Sequence, residues 1–127
     1  MHTLVDYIVV FVGAGIGGAM RHGVNIVFRV LGSGFAYETL TVNVVGSLVM
    51  GLMAGVLALK GDPGQSWRLF FTTGILGGFT TFSAFSLDAV TFYTQGALGP
   101  MAVYVIASVA LSIAGLLAGL FIVRQFG

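Results

Sequence analysis

The chain has 127 residues, of which 57% are hydrophobic and only 7% charged, with a mean hydropathy of +1.06. Soluble domains carry about 25% charged residues, so this chain cannot cover itself with a water-compatible surface and reads as an integral membrane protein. A net charge of +1 from five scattered basic residues excludes a nucleic-acid footprint, and the absence of cysteine excludes disulfides, thiolate metal sites and a cysteine nucleophile.

The length suits one domain, 1–127, holding four spans of roughly 20 residues or more. The first span covers about 4–31. It carries Asp6 near its start, then Arg21, His22 and Arg29, and ends in a glycine-rich turn, Gly32-Ser33-Gly34. The stretch before it lacks a basic region and a clear cleavage site, so Leu4 onward reads as a mature span rather than a signal peptide. The second span, about 38–60, is uncharged between its ends and stops at Lys60-Gly61-Asp62-Pro63-Gly64, a turn by composition. The third, about 67–94, runs between the interfacial aromatics Trp67 and Tyr93. The fourth, about 98–124, is uncharged up to Arg124. With four spans both termini lie on one side. Lys60, Arg68 and Arg124 then face one side and Arg21 and Arg29 the other, a split too even to set orientation. Either one early signal decides, or the chain inserts both ways and pairs antiparallel with itself.

Glycine pairs four residues apart recur in every span: Gly13 and Gly17, Gly51 and Gly55, Gly74 and Gly78, Gly115 and Gly119. Such pairs let helix backbones approach closely in lipid. They predict packing, and four short spans make a homodimer the economical assembly.

The third span contains Gly74-Ile75-Leu76-Gly77-Gly78-Phe79-Thr80-Thr81-Phe82-Ser83-Ala84-Phe85-Ser86, rich in glycine, hydroxyls and phenylalanine. Irregular backbone persists at membrane depth only where protein or an aqueous path covers it. The segment predicts a helix broken over Gly77-Gly78-Phe79-Thr80, with carbonyls freed as in half-helix cation sites, or else a glycine kink that lets helices cross. Phe82 and Phe85 share a face just after it, with Thr80, Thr81 and Ser83 around them. They are either packing or an aromatic edge, which is positive, turned to an anion. On the second span Thr39, Asn43 and Ser47 share a face. The Asn43 amide serves either a helix–helix hydrogen bond or a permeating ligand. On the fourth, Tyr104, Ser108 and Ser112 make a hydroxyl stripe, fit for a polar track or for bonding back to the preceding turn. Arg21 sits near the far interface, snorkelling or supplying a vestibule charge. Asp88 is an interfacial carboxylate or a partner for a basic residue. His2 and His22 have no companions that suggest a metal site.

These residues resemble the small bacterial Fluc (CrcB) fluoride channels. Three motifs carry the resemblance: Gly13-Ala14-Gly15-Ile16-Gly17-Gly18-Ala19-Met20-Arg21; the run with Thr39, Asn43 and Gly46; and Gly77 to Ser86. It covers all four spans. His22 stands where that family usually has an aromatic residue, and Ala84 where it has Thr or Ser. The resemblance implies an all-α membrane protein of four transmembrane helices, the third broken near its middle, assembled as an antiparallel dual-topology homodimer. It implies a passive fluoride channel of the bacterial cytoplasmic membrane with two pathways, each built from both subunits. Phe82 and Phe85 would be the aromatic box, Asn43 the pore amide, and Tyr104, Ser108 and Ser112 the polar track, with Thr39 and Ser83 nearby. Arg21 would be the vestibule charge. A structural Na⁺ on the dimer axis would be held by backbone carbonyls of Gly77 and Thr80, with no organic cofactor.

A neutral track suits conduction, because a fixed charge deep in the pore would hold fluoride too tightly to release it. Two other readings compete. A proton-coupled, dual-topology multidrug transporter needs a membrane-embedded carboxylate, and Asp6, Glu38 and Asp88 all lie toward span ends. A non-conducting assembly subunit leaves the polar stripes without a purpose. No nucleophile, base and orienting group converge, so an enzyme is not expected.

Overall fold

The structure is a computed structural model that describes residues 3–32 and 35–127. His2, and the Ser33 and Gly34 of the glycine-rich turn, lie outside the described residues. Every regular element among the described residues is helical. Helix α1 spans Thr3–Leu31 and α2 spans Tyr37–Lys60. The third span begins as α3, Gln65–Leu69, widens into a π-helical stretch, Phe70–Leu76, and narrows to one α-helical turn, α4, Gly77–Phe79. It resumes as α5, Ser83–Thr94, and α6 covers Leu98–Phe126. Four helical segments, 3–31, 37–60, 65–94 and 98–126, are long and apolar enough to cross a membrane. The chain is a multi-pass membrane protein.

The connections are set by local chemistry. Gly61 stops α2 at a positive φ of 86°, a conformation that costs glycine little, while its N–H still reaches Leu57 O at 2.9 Å. Asp62 then accepts the Gly64 N–H at 2.9 Å and pairs with Arg68 in the first turn of α3. Asp6 ties α1 to the same corner by accepting from Gln65 at 2.9 Å and Ser66 at 3.3 Å. Trp67 stacks on Phe71 with ring centroids 6.0 Å apart, an aromatic anchor at one end of the span.

Two close seams organise the bundle. Along one, α1 lies against the π-helical stretch and α4. A Cβ on Gly13 would stand 2.7 Å from Phe70 O, and one on Gly17 would collide with Ile75 O. Along the other, α2 lies on α6, where a Cβ on Gly51 would collide with the Leu116 carbonyl and one on Gly119 would stand 2.6 Å from Leu52 N. The glycine pairs thus act as packing devices, with backbone meeting backbone. Among the described residues, only Val42, Leu76, Phe79 and Tyr104 of the apolar side chains are buried within the chain. Many of the other large apolar side chains are exposed on the outside of the bundle, as a protein solvated by lipid allows.

Candidate functional site

The interruption of the third span lies slightly later than the sequence suggests. Gly77 to Phe79 are still helical; Thr80 is extended (φ −87°, ψ 161°), and α5 begins only at Ser83. Glycine inside a helix costs only about 1 kcal/mol and does not by itself end one. The backbone turns out where another helix offers partners. Asn43 of α2 accepts the Thr81 N–H on Oδ1 at 2.8 Å and donates from Nδ2 to Thr81 O at 2.9 Å. From α1, Arg21 donates through Nε to Gly78 O at 3.1 Å. Thr80 closes the preceding turn twice, with N–H and hydroxyl both donating to Leu76 O at 3.0 and 2.9 Å. Thr81 opens the next helix, its hydroxyl oxygen accepting the Ala84 N–H at 3.2 Å, which is the action of an N-cap. No hydrogen bond reaches the Gly77 or Thr80 carbonyl among the described residues.

Beside this step lies an open cavity of about 500 Å³ between α2, α6 and the third span. Asn43, Gly77, Thr80, Phe82, Phe85, Ser108 and Ser112 all line it, so the structure gathers most of the candidate residues on one wall. Gly46 lines it too: without a side chain there, the Thr80 methyl can press against α2. Phe82 and Phe85 lie with centroids 5.3 Å apart and planes tilted by 45°; Phe82 is 76% exposed. Ser108 is only 5% exposed, and its hydroxyl has no hydrogen-bond partner. A buried hydroxyl without a partner costs about 1–3 kcal/mol, so one on a cavity wall marks a place for a polar ligand or water.

Other candidates stand apart from that wall. Tyr104 is fully buried, and its hydroxyl donates to Asp88 Oδ2 at 2.9 Å. Phe35, Phe85 and Phe92 surround its ring at centroid distances of 5.6, 5.4 and 5.6 Å. The hydroxyl stripe on α6 therefore divides. Equal spacing puts three residues on one helix face, but the long tyrosine side chain carries its hydroxyl off that line to Asp88. Thr39, also buried, lies beside Tyr104 rather than on the cavity. Ser83 is exposed, 3.3 Å from the Thr81 hydroxyl, and does not line the cavity. Arg21 lies on α1 before its end at Leu31, with its Nε bonded to Gly78 O. Asp88 takes tyrosine, not a basic residue, as its partner.

Sequence reasoning did not select Ser47, Thr81 or Asp88 as site residues. Ser47 lines the cavity and shares its helix face with Asn43, a signal that was visible. The Thr81 and Asp88 contacts join residues 38 and 16 positions apart, beyond the reach of any local pattern.

Residues 8–120 match the family described as CrcB-like protein, Camphor Resistance (CrcB). The chain belongs to the CrcB family. A Methylobacterium nodulans protein named fluoride-specific ion channel FluC is 54% identical over 98% of this chain and 100% of its own length. A Rhodopseudomonas palustris protein of the same name is 58% identical over 94% of this chain and 98% of its own length. The Agrobacterium fabrum protein of that name is 43% identical, covering 96% and 98%. The CrcB match takes in Arg21, Asn43, the Gly77–Ser86 segment and the cavity serines Ser47, Ser108 and Ser112.

Proposed function

We propose that this chain is a fluoride-selective passive channel that lets F⁻ leave the cell across the bacterial cytoplasmic membrane. The observation that carries this reading is the Ser108 hydroxyl, buried and unpartnered on a cavity walled by Phe82 and Phe85. Fluoride is small and strongly hydrated, so its path must offer close donors in place of water. The Ser108 and Ser112 hydroxyls supply them, with the second N–H of the Asn43 amide, since only one is used on Thr81. The phenylalanine edges add positive potential without a formal charge. Binding stays weak enough to release the ion. Tyr104 backs Phe85 and so holds the aromatic wall, and Arg21 is the charge of the vestibule.

The same reading includes an antiparallel homodimer with two pathways. Two features support it: the cavity is open on one side, and Phe82 at its edge is largely uncovered in the single chain. A structural Na⁺ fits the carbonyls of Gly77 and Thr80, which accept no hydrogen bond and whose residues lie on the cavity wall. Such an ion would supply a fixed positive charge and hold the two carbonyls in place. Among the described residues no carboxylate lines the cavity, which disfavours proton-coupled export of a cationic drug.

Purified protein in liposomes should release F⁻ and retain Cl⁻, followed with ion-selective electrodes. Phe82→Ile should lower F⁻ release by about tenfold or more, near 1.4 kcal/mol of barrier, while the protein stays folded. Absence of F⁻ release from the wild-type protein would sink the reading.

A further inference from the structure

We infer that Asn43 is a positioning residue that holds the third span open, by capturing an amide hydrogen that would otherwise close the helix. In an uninterrupted α-helix the Thr81 N–H donates to Gly77 O, four residues back. Here it donates to Asn43 Oδ1 at 2.8 Å, and Nδ2 returns a hydrogen bond to Thr81 O at 2.9 Å. Gly77 O, the deserted acceptor, is left without a hydrogen bond among the described residues.

The surrounding bonds show why Asn43 decides the matter. The turn before the step closes without it, because Thr80 bonds Leu76 O through both N–H and hydroxyl. The helix after the step starts without it, because the Thr81 hydroxyl oxygen takes the Ala84 N–H. Arg21 occupies Gly78 O but touches neither group of Thr81. The peptide N–H and C=O of Thr81 are the two groups of the step that one side chain satisfies together, and that side chain is Asn43. A short side-chain amide offers a donor and an acceptor side by side, matching what a peptide presents. Removing it leaves the Thr81 N–H with one acceptor in reach of a modest backbone turn, Gly77 O. Thr80, now extended at ψ 161°, would return to helical geometry and Gly77 O would be consumed.

The open step is read from the geometry alone. Its bearing on conduction rests on the proposed function, since Gly77, Thr80, Phe82 and Phe85 all line the cavity. The amide in this view acts on the path through the backbone, in addition to any contact its free N–H makes.

The test is solid-state NMR of the full chain in bilayers, reading the Thr80 Cα and Cβ shifts, which differ between extended and helical backbone. Wild type and Asn43→Asp, which keeps the acceptor, should give extended shifts. Asn43→Leu should give helical ones. Asn43→Leu with Thr81→Pro should return to extended shifts, because proline has no N–H to give Gly77 and biases the residue before it away from the helix. Extended Thr80 shifts in Asn43→Leu alone overturn the inference. Should Asn43→Leu not fold, hydrogen exchange in the wild type decides. Slower exchange at Thr81 than at Phe82, whose N–H has no partner among the described residues, supports it; equal or faster exchange overturns it. None of these readouts uses ion flux, so a failed fluoride assay and a failed inference are distinguishable.

Discussion

The α2–α6 seam and the step at Thr80 are both rich in glycine, yet they are held in opposite ways. At the seam, glycine removes side chains so that two regular helices meet backbone to backbone, Gly51 against the Leu116 carbonyl and Gly119 against Leu52 N. At the step the backbone leaves the helix, and side chains from α1 and α2 cross over to satisfy it. In lipid no water can repair an unmet peptide group. Close packing is therefore available only where every peptide bonds within its own helix. Where the helix opens, a neighbour must contribute polar atoms. Glycine in this chain signals proximity; the asparagine and the arginine signal departure from the helix.

That contrast can be tested by adding methyl groups. Gly51→Ala should have the largest effect, destabilising the protein by about 3 kcal/mol, the upper part of the overpacking range, read as the folded fraction in a denaturant titration. Because the obstructing atom is a backbone carbonyl, trimming side chains on α6 should not restore it. Gly46→Ala should cost less, because its new methyl meets the Thr80 methyl and, at 3.4 Å, the Phe79 ring. Thr80→Ser removes that methyl and keeps the hydroxyl bonded to Leu76, so the pair should show a favourable coupling of about 1 kcal/mol in a double-mutant cycle. If both glycines responded alike to trimming, the distinction between the two regions would collapse.

Smaller effects sharpen the picture. Ser108→Ala removes a hydroxyl that bonds nothing among the described residues, so stability should hold or rise while F⁻ release slows about threefold, roughly 0.7 kcal/mol. A clear loss of stability instead would mean that the hydroxyl has a structural partner. Asp62→Asn breaks the exposed pair with Arg68 and should shift stability by less than about 1 kcal/mol. Its role is that of a reference: a corner outside both regions, where neither packing nor openness depends on the change.

The four membrane-crossing helices were legible because apolar runs of that length have few other uses in a sequence so poor in charge. The Phe82–Phe85 face and the Ser108–Ser112 pair were legible because helical spacing of three or four survives folding unchanged. Tyr104 shows where spacing fails. Its Cα keeps the serine register, but the hydroxyl at the end of a long ring finds Asp88. Asn43 shows another gap: sequence can say that a buried amide needs partners, not that both will be the peptide groups of Thr81. The position of the step followed from that pairing, and so fell after the glycines rather than on them.

The π-helical stretch Phe70–Leu76 has a consequence for how the length of this gene segment can drift. A π turn accommodates an added residue within an otherwise α-helical path. Deleting one residue there would let the stretch return to α-helical winding, so Thr81 would keep its place beside Asn43, and Phe82 and Phe85 theirs on the cavity. The turn from Gly77 to Phe79 is α-helical and has no such slack; one residue lost there would rotate everything downstream by about 100°, the angle per residue of an α-helix. Single-residue deletions should thus be tolerated within Phe70–Leu76 and excluded between Gly77 and the step, although nothing in the hydrophobicity of the two parts sets them apart.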